Sequence, residues 1–277
     1  MNELQQTELE LLRAFLRVCG ALGLRYYLVC GSALGAAKYG GFIPWDDDVD
    51  VAMPREDYET FCREAPRLLP EHLFLQNYRS DPAFPGIYSK LRDSNTTYIE
   101  RGTAHLPMHH GVYLDLFPLD GYPRGRLARR WFELRKRLYK HQLAAAFDLE
   151  RRSAARALYR LNRALGMHRR TQAIARRYTA LIRRYPTQGS SLWCNHGNWQ
   201  GTLDYADPAQ YGQGVWADFE GLKVRIPAEF DRYLTQKYGA WRGELPPEEQ
   251  RGHHEAVLCD LNRPCVPYGQ AAPGKGN

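Results

Sequence analysis

Apolar positions recur at helical spacing from the start of the chain. Leu4, Leu11, Leu12, Phe15, Val18, Cys19 and Leu22 are separated by Glu and Arg, which predicts an amphipathic helix over residues 2–22. A short β-prone run from Tyr26 to Cys30 ends directly at Gly31-Ser32, and Ala33 to Lys38 is helix-compatible, so strand, turn and helix follow in that order. Gly40-Gly41 closes this helix, and residues 41–47 form a loop leading into Asp48-Val49-Asp50-Val51. If that segment is extended, Asp48 and Asp50 share one face while Val49 and Val51 enter the core. A further helix is expected from Arg55 to Leu69, bounded by Pro54 and Pro70.

Residues 73–78, 87–92, 96–100 and 111–117 read as strands of one sheet, separated by turn-rich pieces such as Ser80-Asp81-Pro82 and Asp93-Ser94-Asn95. In the last of them Asp115 lies inside the apolar run from Val112 to Phe117, where an unpaired charge is costly. From Arg124 to Tyr185 the pattern turns helical, with breaks near Leu149-Glu150 and Gly166. Three stripes are expected to face a core: Trp131, Leu134, Leu138; Tyr159, Leu161, Leu165; and Tyr178, Leu181, Ile182. The tail is aromatic and turn-rich, with a strand over 221–227, a helix over 228–238 ended by Gly239, and a frayed Pro- and Gly-rich terminus over 264–277.

These elements predict an α+β fold, a mixed sheet flanked by helices with a helical annex. The expected division is a core over 1–123, a basic annex over 124–185, and a part over 186–277 that completes the first domain. With 277 residues and 44% apolar content the chain can bury a substantial core. No run approaches the roughly 18 apolar residues of a membrane span, and residues 1–6 lack a signal peptide's basic and apolar regions, so the cytoplasm is the expected compartment. Six cysteines without a C-x-x-C pair are expected to be reduced thiols.

Charge is concentrated. Between Arg124 and Arg184, 19 Lys or Arg face three acids, a balance of +16, which leaves 7 − 16 = −9 for the rest. The basic helices read either as a solvated face or as a surface for an anionic glycan, a lipid-linked acceptor or a membrane.

The candidate chemistry lies in the acidic stretch. Two carboxylates converging from Asp48 and Asp50 would repel unless a hard cation such as Mg²⁺ or Mn²⁺ lies between them. Asp46 and Asp47 are expected to shape the approach by bonding to backbone. Asp115 completes a three-carboxylate group if its strand lies beside that of Asp48; otherwise it is a core acid satisfied by backbone donors. Gly31-Ser32 opens a helix, where free N–H groups and a hydroxyl suit a phosphate, although a plain tight turn would look the same. Together these describe metal-assisted transfer at phosphorus, with Asp115 placed to bridge a metal to the nucleophile or to take its proton.

Gly31-Ser32-Ala33-Leu34-Gly35-Ala36, the run Gly41-Phe42-Ile43-Pro44-Trp45-Asp46-Asp47-Asp48-Val49-Asp50-Val51-Ala52-Met53-Pro54-Arg55, and Tyr113-Leu114-Asp115-Leu116-Phe117-Pro118-Leu119-Asp120 closely resemble the LicD family, which includes the fukutin-related proteins. The resemblance covers residues 24–120 and returns weakly at Phe219-Glu220-Gly221 and Tyr238-Gly239. It implies a nucleotidyltransferase fold similar in core to DNA polymerase β. It also implies transfer of phosphocholine or ribitol phosphate from a CDP-alcohol donor to a glycan or lipid-linked glycan.

Within the matched part, Lys90, Arg92 and Thr96-Thr97 stand where the family tends to carry basic and hydroxyl residues, and Lys90 and Arg92 share a strand face suited to phosphate. Lys38 stands where the family often has arginine. Glu220 could contact substrate or only hold a turn. Cys194, His196, His253 and His254 could supply zinc ligands, and Trp193, Trp199 and Trp216 could stack a sugar or a choline cation or simply pack. The expected product is CMP. The alternatives are nucleotidyl transfer with loss of pyrophosphate, or a basic module for nucleic acid or membrane; no nucleic-acid partner is expected for the leading reading. Peripheral contact with the inner face of a membrane, through helices 124–184, is also expected.

Overall fold

In the computed structural model, residues 1–147, 155–197, 205–244 and 254–265 are described, with 246, 248 and 250–252 as isolated positions. Trp199, His253, the break near Leu149 and most of the expected frayed terminus lie outside these residues.

The first helix, α1 (Glu3–Leu22), begins at a reciprocal cap: the Asn2 side chain accepts from the Gln5 N–H, and the Gln5 side chain accepts from the Asn2 N–H. Gly23, at φ 64°, ends it in the left-handed conformation glycine adopts without penalty. Strand β1 (Tyr27–Leu28) leads into α2 (Cys30–Tyr39), which starts three residues earlier than expected, and β2 (Asp50–Pro54) begins at the second aspartate, with Asp48 in the loop just before it. Then come α3 (Arg55–Leu68), β3 (Leu73–Gln76), β4 (Ser89–Asp93), β5 (Thr97–Glu100) and β6 (Tyr113–Gly121).

The central sheet runs β1-β2-β6-β4-β3. Strands β2 and β6 are parallel, and the other pairs are antiparallel, so the sheet is mixed. The first half of β6 pairs with β4 and its last residues pair with β7 (Trp193–Asn195), which continues to β8 (Tyr205–Ala206). Apolar side chains of α1 and α3 pack on this sheet, with Phe15 5.1 Å from Phe61 between ring centres.

Helices α4 (Arg126–Ala144) and α6 (Thr171–Ile182) build a second core of Phe132, Leu143, Ile174, Tyr178 and Ile182, to which Tyr78 and Ile87 also contribute, and α5 (Ala155–Ala164) packs against α4. The stripes expected to be inward on α4 and α5 are not: Trp131, Leu134, Leu138, Leu161 and Leu165 all face outward. Only the α6 stripe is buried as expected. The buried face of α4 is the opposite one, carrying Phe132, Lys136 and Leu143.

The C-terminal part adds α7 (Pro208–Tyr211), the hairpin β9 (Val215–Phe219) to β10 (Leu222–Ile226), and α8 (Phe230–Tyr238). Phe219, Val224, Tyr233 and Leu234 enter the same cluster as α1 and the sheet. Strand β11 (Ala256–Asp260), which the periodicity did not predict, pairs with β5 and carries the preceding His254 to the acidic loop. All six cysteines are free thiols. Among the described residues no helix is long and apolar enough to cross a membrane.

Candidate active site

Register brings the acids together. Asp50 pairs across the parallel strands with Asp115, and Val49 accepts the Asp115 N–H at 2.8 Å, so the loop holding Asp48 lies at the end of the same ladder. One oxygen from each of Asp48, Asp50 and Asp115 falls within 4.8 Å of the others. Val49 and Val51 are fully buried, as alternation requires.

The three carboxylates line a cavity of about 720 Å³ together with Gly31, Lys38, Asp46 and six aromatic side chains, Tyr39, Trp45, Tyr88, Phe117, Tyr238 and Trp241. Burial makes each of these acids reluctant to ionise. Asp48 is pushed up to about 6 by burial and the nearby Asp115, with His254 opposing. Asp46 rises to about 7 through burial and the Asp48 charge. Asp50 lies well above the carboxylate range for the same two reasons, and Asp115 is raised by burial against the pull of Lys90. The crowded carboxylates Asp46, Asp48, Asp50 and Asp115 outnumber the two cations set against them, Lys90 and His254, an imbalance that a divalent cation relieves. The donor set of Asp48, Asp50 and Asp115 would suit Mg²⁺ or Mn²⁺.

Gly31 lies where a side chain cannot go: a Cβ there would stand 2.7 Å from Asp46 Oδ2. Beside it Cys30 adopts a left-handed φ of 52°, rare for a residue with a side chain, and its thiol bonds to Asp50. This turn opens α2 at the cavity wall, where Cys30 and Gly31 both lie, and the Cys30 N–H donates to the Tyr233 hydroxyl at 3.2 Å.

Several expected phosphate contacts have other work. The Ser32 hydroxyl is buried and accepts the Asp50 N–H at 2.8 Å, so it fixes the start of β2 and does not line the cavity. Lys90 and Arg92 do share a strand face, over the Tyr113 ring, but both are buried and outside the cavity lining. Lys90 lies 3.1 Å from Asp115 Oδ1 and 3.8 Å from Glu100, balancing the acids from behind. Arg92 donates to Gln76 Oε1 and the Gly111 carbonyl, each at 2.6 Å, and braces the β4 region. Thr96 and Thr97 bond to backbone. Lys38 lines the cavity, but its ammonium is held by Glu244 at 2.8 Å and the Gly243 carbonyl at 2.7 Å. Glu220 accepts the Phe42 N–H and packs against Gly41, so it holds the turn ahead of the acidic loop and is absent from the cavity wall.

Other residues emerge only in three dimensions. Asp47 does brace the backbone, accepting the His254 N–H at 3.0 Å, while its other oxygen meets the His254 ring at 3.1 Å. Burial disfavours the imidazolium, yet Asp47 and Asp48 outweigh this and lift His254 to about 9. Glu8, on α1, is buried beside Asp48, Asp46 and Asp47 and is held well above its usual range, first by burial and then by those charges. Its position four residues after Leu4 and four before Leu12, on the buried face, was the available signal. Arg55 and Asp120 form a buried two-pronged ion pair at 2.8 and 2.6 Å, locking the start of α3 to the end of β6. Cys194 and His196 join no group of potential metal ligands among the described residues, and Trp193 is core.

The description LicD/FKTN/FKRP, nucleotidyltransferase domain, belongs to a family model that matches residues 23–159. The lipopolysaccharide cholinephosphotransferase LicD of Haemophilus influenzae is 25% identical over 260 residues, spanning 92% of this chain and 96% of that protein. The ribitol 5-phosphate transferases FKRP of Homo sapiens and Mus musculus are each 50% identical over 48 residues, which is 17% of this chain and 10% of theirs.

Proposed function

The chain belongs to the LicD family of phosphotransferases, and we propose that it moves a phospho-alcohol from a CDP-activated donor to a hydroxyl of a cell-surface glycan. The observation that carries this reading is the convergence of Asp48, Asp50 and Asp115 in a cavity that also exposes the Gly31 turn. It fits a nucleotidyltransferase-like core, in which paired carboxylates precede a third on a neighbouring strand.

A Mg²⁺ or Mn²⁺ ion held by the three aspartates would neutralise the diphosphate and lower the pKa of the attacking hydroxyl. The glycan oxygen attacks the phosphorus that bears the alcohol; the bond from that phosphorus to the CMP oxygen breaks, and CMP leaves. Asp115 takes the proton of the attacking hydroxyl, while Lys90 behind it keeps the carboxylate available as a base. The bare Gly31 backbone and the start of α2 receive a phosphate. The aromatic wall suits a cytosine ring and a quaternary ammonium. This favours phosphocholine over ribitol phosphate as the transferred group.

Incubation with labelled CDP-choline, CTP and Mg²⁺ tests the reading. Release of CMP from CDP-choline in the presence of a glycan acceptor is expected. Pyrophosphate release from CTP alone would replace it with nucleotidyl transfer, and salt-sensitive retardation of nucleic acid in a gel would point to a binding module instead.

A further inference from the structure

Four large apolar side chains of α4 stand in solvent. Leu127, Trp131, Leu134 and Leu138 are 74%, 66%, 59% and 52% exposed. Their spacing of four, three and four residues confines them, at about 100° per residue, to a strip roughly 60° wide. The helix already buries its other face, through Phe132 and Leu143, in the second core. The outer strip is therefore surplus to folding, and a contiguous apolar strip on a surface marks a contact.

Its border says what kind. Helix α4 carries Arg126, Arg129, Arg130, Arg135, Lys136, Arg137 and Lys140 against a single acid, Glu133. Arg126, Arg130 and Arg137 flank the strip on one side and Arg135 on the other, all exposed. Glu133 is turned inward, taken up by Tyr122, Lys136 and Tyr205. The outward face thus combines an apolar centre, cationic edges and no acid. Nearby, α5 exposes Leu161 beside Arg160 and is followed by the exposed Leu165, while α6 exposes Arg176 and Arg177 and is followed by the exposed Arg183 and Arg184.

We propose that α4 docks on an anionic phospholipid surface. It lies in the plane of the headgroups, with Leu127, Trp131, Leu134 and Leu138 at the acyl boundary and the arginines against lipid phosphates. A second copy of the chain fits this face poorly, because two-fold pairing would set arginine borders against each other with no carboxylate between them. Acidic headgroups supply the missing charge, and the tryptophan lies where indole rings settle between headgroup and acyl chain. The inference rests on α4 alone and not on the proposed chemistry.

Flotation of the full-length protein with vesicles tests it, using phosphatidylcholine alone or phosphatidylcholine mixed with phosphatidylglycerol. The protein should float with the anionic vesicles and not with the neutral ones. Trp131→Ser/Leu134→Ser should weaken binding by about tenfold or more, and Arg130→Glu/Arg135→Glu/Arg137→Glu should abolish it, with circular dichroism unchanged because every altered side chain is exposed. Brominated acyl chains should quench a part of the tryptophan emission that is missing in Trp131→Phe. Wild-type protein that stays unbound with anionic vesicles, or a double variant that floats as well as wild type, overturns the proposal. So does a dimer in solution that Leu134→Ser dissociates, since the face would then belong to a second copy. Release of CMP with a soluble acceptor should be unchanged in these variants, which separates this test from that of the proposed activity.

Discussion

Asp50 and Asp115, separated by 65 positions in the chain, are direct register partners on the parallel strands β2 and β6. A parallel ladder repeats the same side-chain direction on both strands, so neighbouring partners present their side chains to one face. The two carboxylates are therefore held together by the sheet itself, and the energetic cost of their repulsion is built into the metal-free protein.

Removing one charge should expose that cost. Asp48→Asn, Asp50→Asn and Asp115→Asn are each expected to lower transfer by about a thousandfold and to abolish the rise in Tm on adding Mg²⁺. Without metal, Asp48→Asn and Asp50→Asn should melt at or above the wild-type temperature, because burial and neighbouring acids already disfavour those carboxylates, whereas Asp115→Asn also deprives the buried Lys90 of its 3.1 Å partner and should melt lower. Near wild-type turnover in any one of them would remove that residue from the mechanism.

Ser32→Ala leaves the Asp50 N–H without its acceptor. A buried unpaired donor costs about 1–3 kcal/mol, and the released strand end should misplace Asp50. The expected signature is a fall in kcat with little change in KM for the CDP-alcohol. A large rise in KM at unchanged kcat would return Ser32 to a direct phosphate role.

Asp120→Ala removes the two-pronged partner of the buried Arg55 guanidinium and leaves it the single 3.3 Å contact with Glu59, at a cost of about 3 kcal/mol measurable by urea unfolding. Arg55→Met/Asp120→Leu, which removes both charges, should recover most of that loss. A double variant as unstable as the single one would show that the pair's individual hydrogen bonds, and not its uncompensated charge, dominate.

His109 links stability to pH. Its Nδ1 accepts the Gly111 N–H at 3.1 Å, which requires an unprotonated nitrogen, and its Nε2 faces Ser94 Oγ at 3.0 Å. Burial, then Arg92 and His110, push its pKa down to about 3. Below pH 6.5 the unfolded chain binds a proton that the native state refuses, so the contribution is present above that value and is lost as pH falls towards 3. The limiting slope is about 1.4 kcal/mol per pH unit. The stability difference between wild type and His109→Asn, followed from pH 7 to 4, should shrink or reverse over this window. The comparison cancels the raised carboxylates, which act in the opposite sense. A difference independent of pH would show that His109 is not held neutral.

Local order was legible from the residues alone. The alternation in Asp48-Val49-Asp50-Val51 identified two converging acids because a strand has a period of two, and the helical stripe of residues 2–22 identified α1 because its apolar face is continuous. Periodicity failed at α4, which carries apolar residues on two opposite faces. Spacing shows that a face is apolar, but only the neighbouring elements decide which face is covered.

Residue type likewise stated what a side chain can bond to and not what it meets. Ser32, Arg92 and Glu220 have the donors and acceptors of a phosphate or substrate site, yet each is used up inside the protein by Asp50, Gln76 or Phe42. Conversely, Glu8 and His254 acquire their bearing on the acids only because α1 and the segment before β11 fold against the same loop. What the sequence determined by itself was the resemblance to the family, most of the elements and the acids that come together. What the tertiary structure decided was convergence: which of those groups share a cavity, which are neutralised behind it, and which apolar strip is left facing out. Those outcomes depend on contacts between segments far apart in the chain, and no local period carries that information.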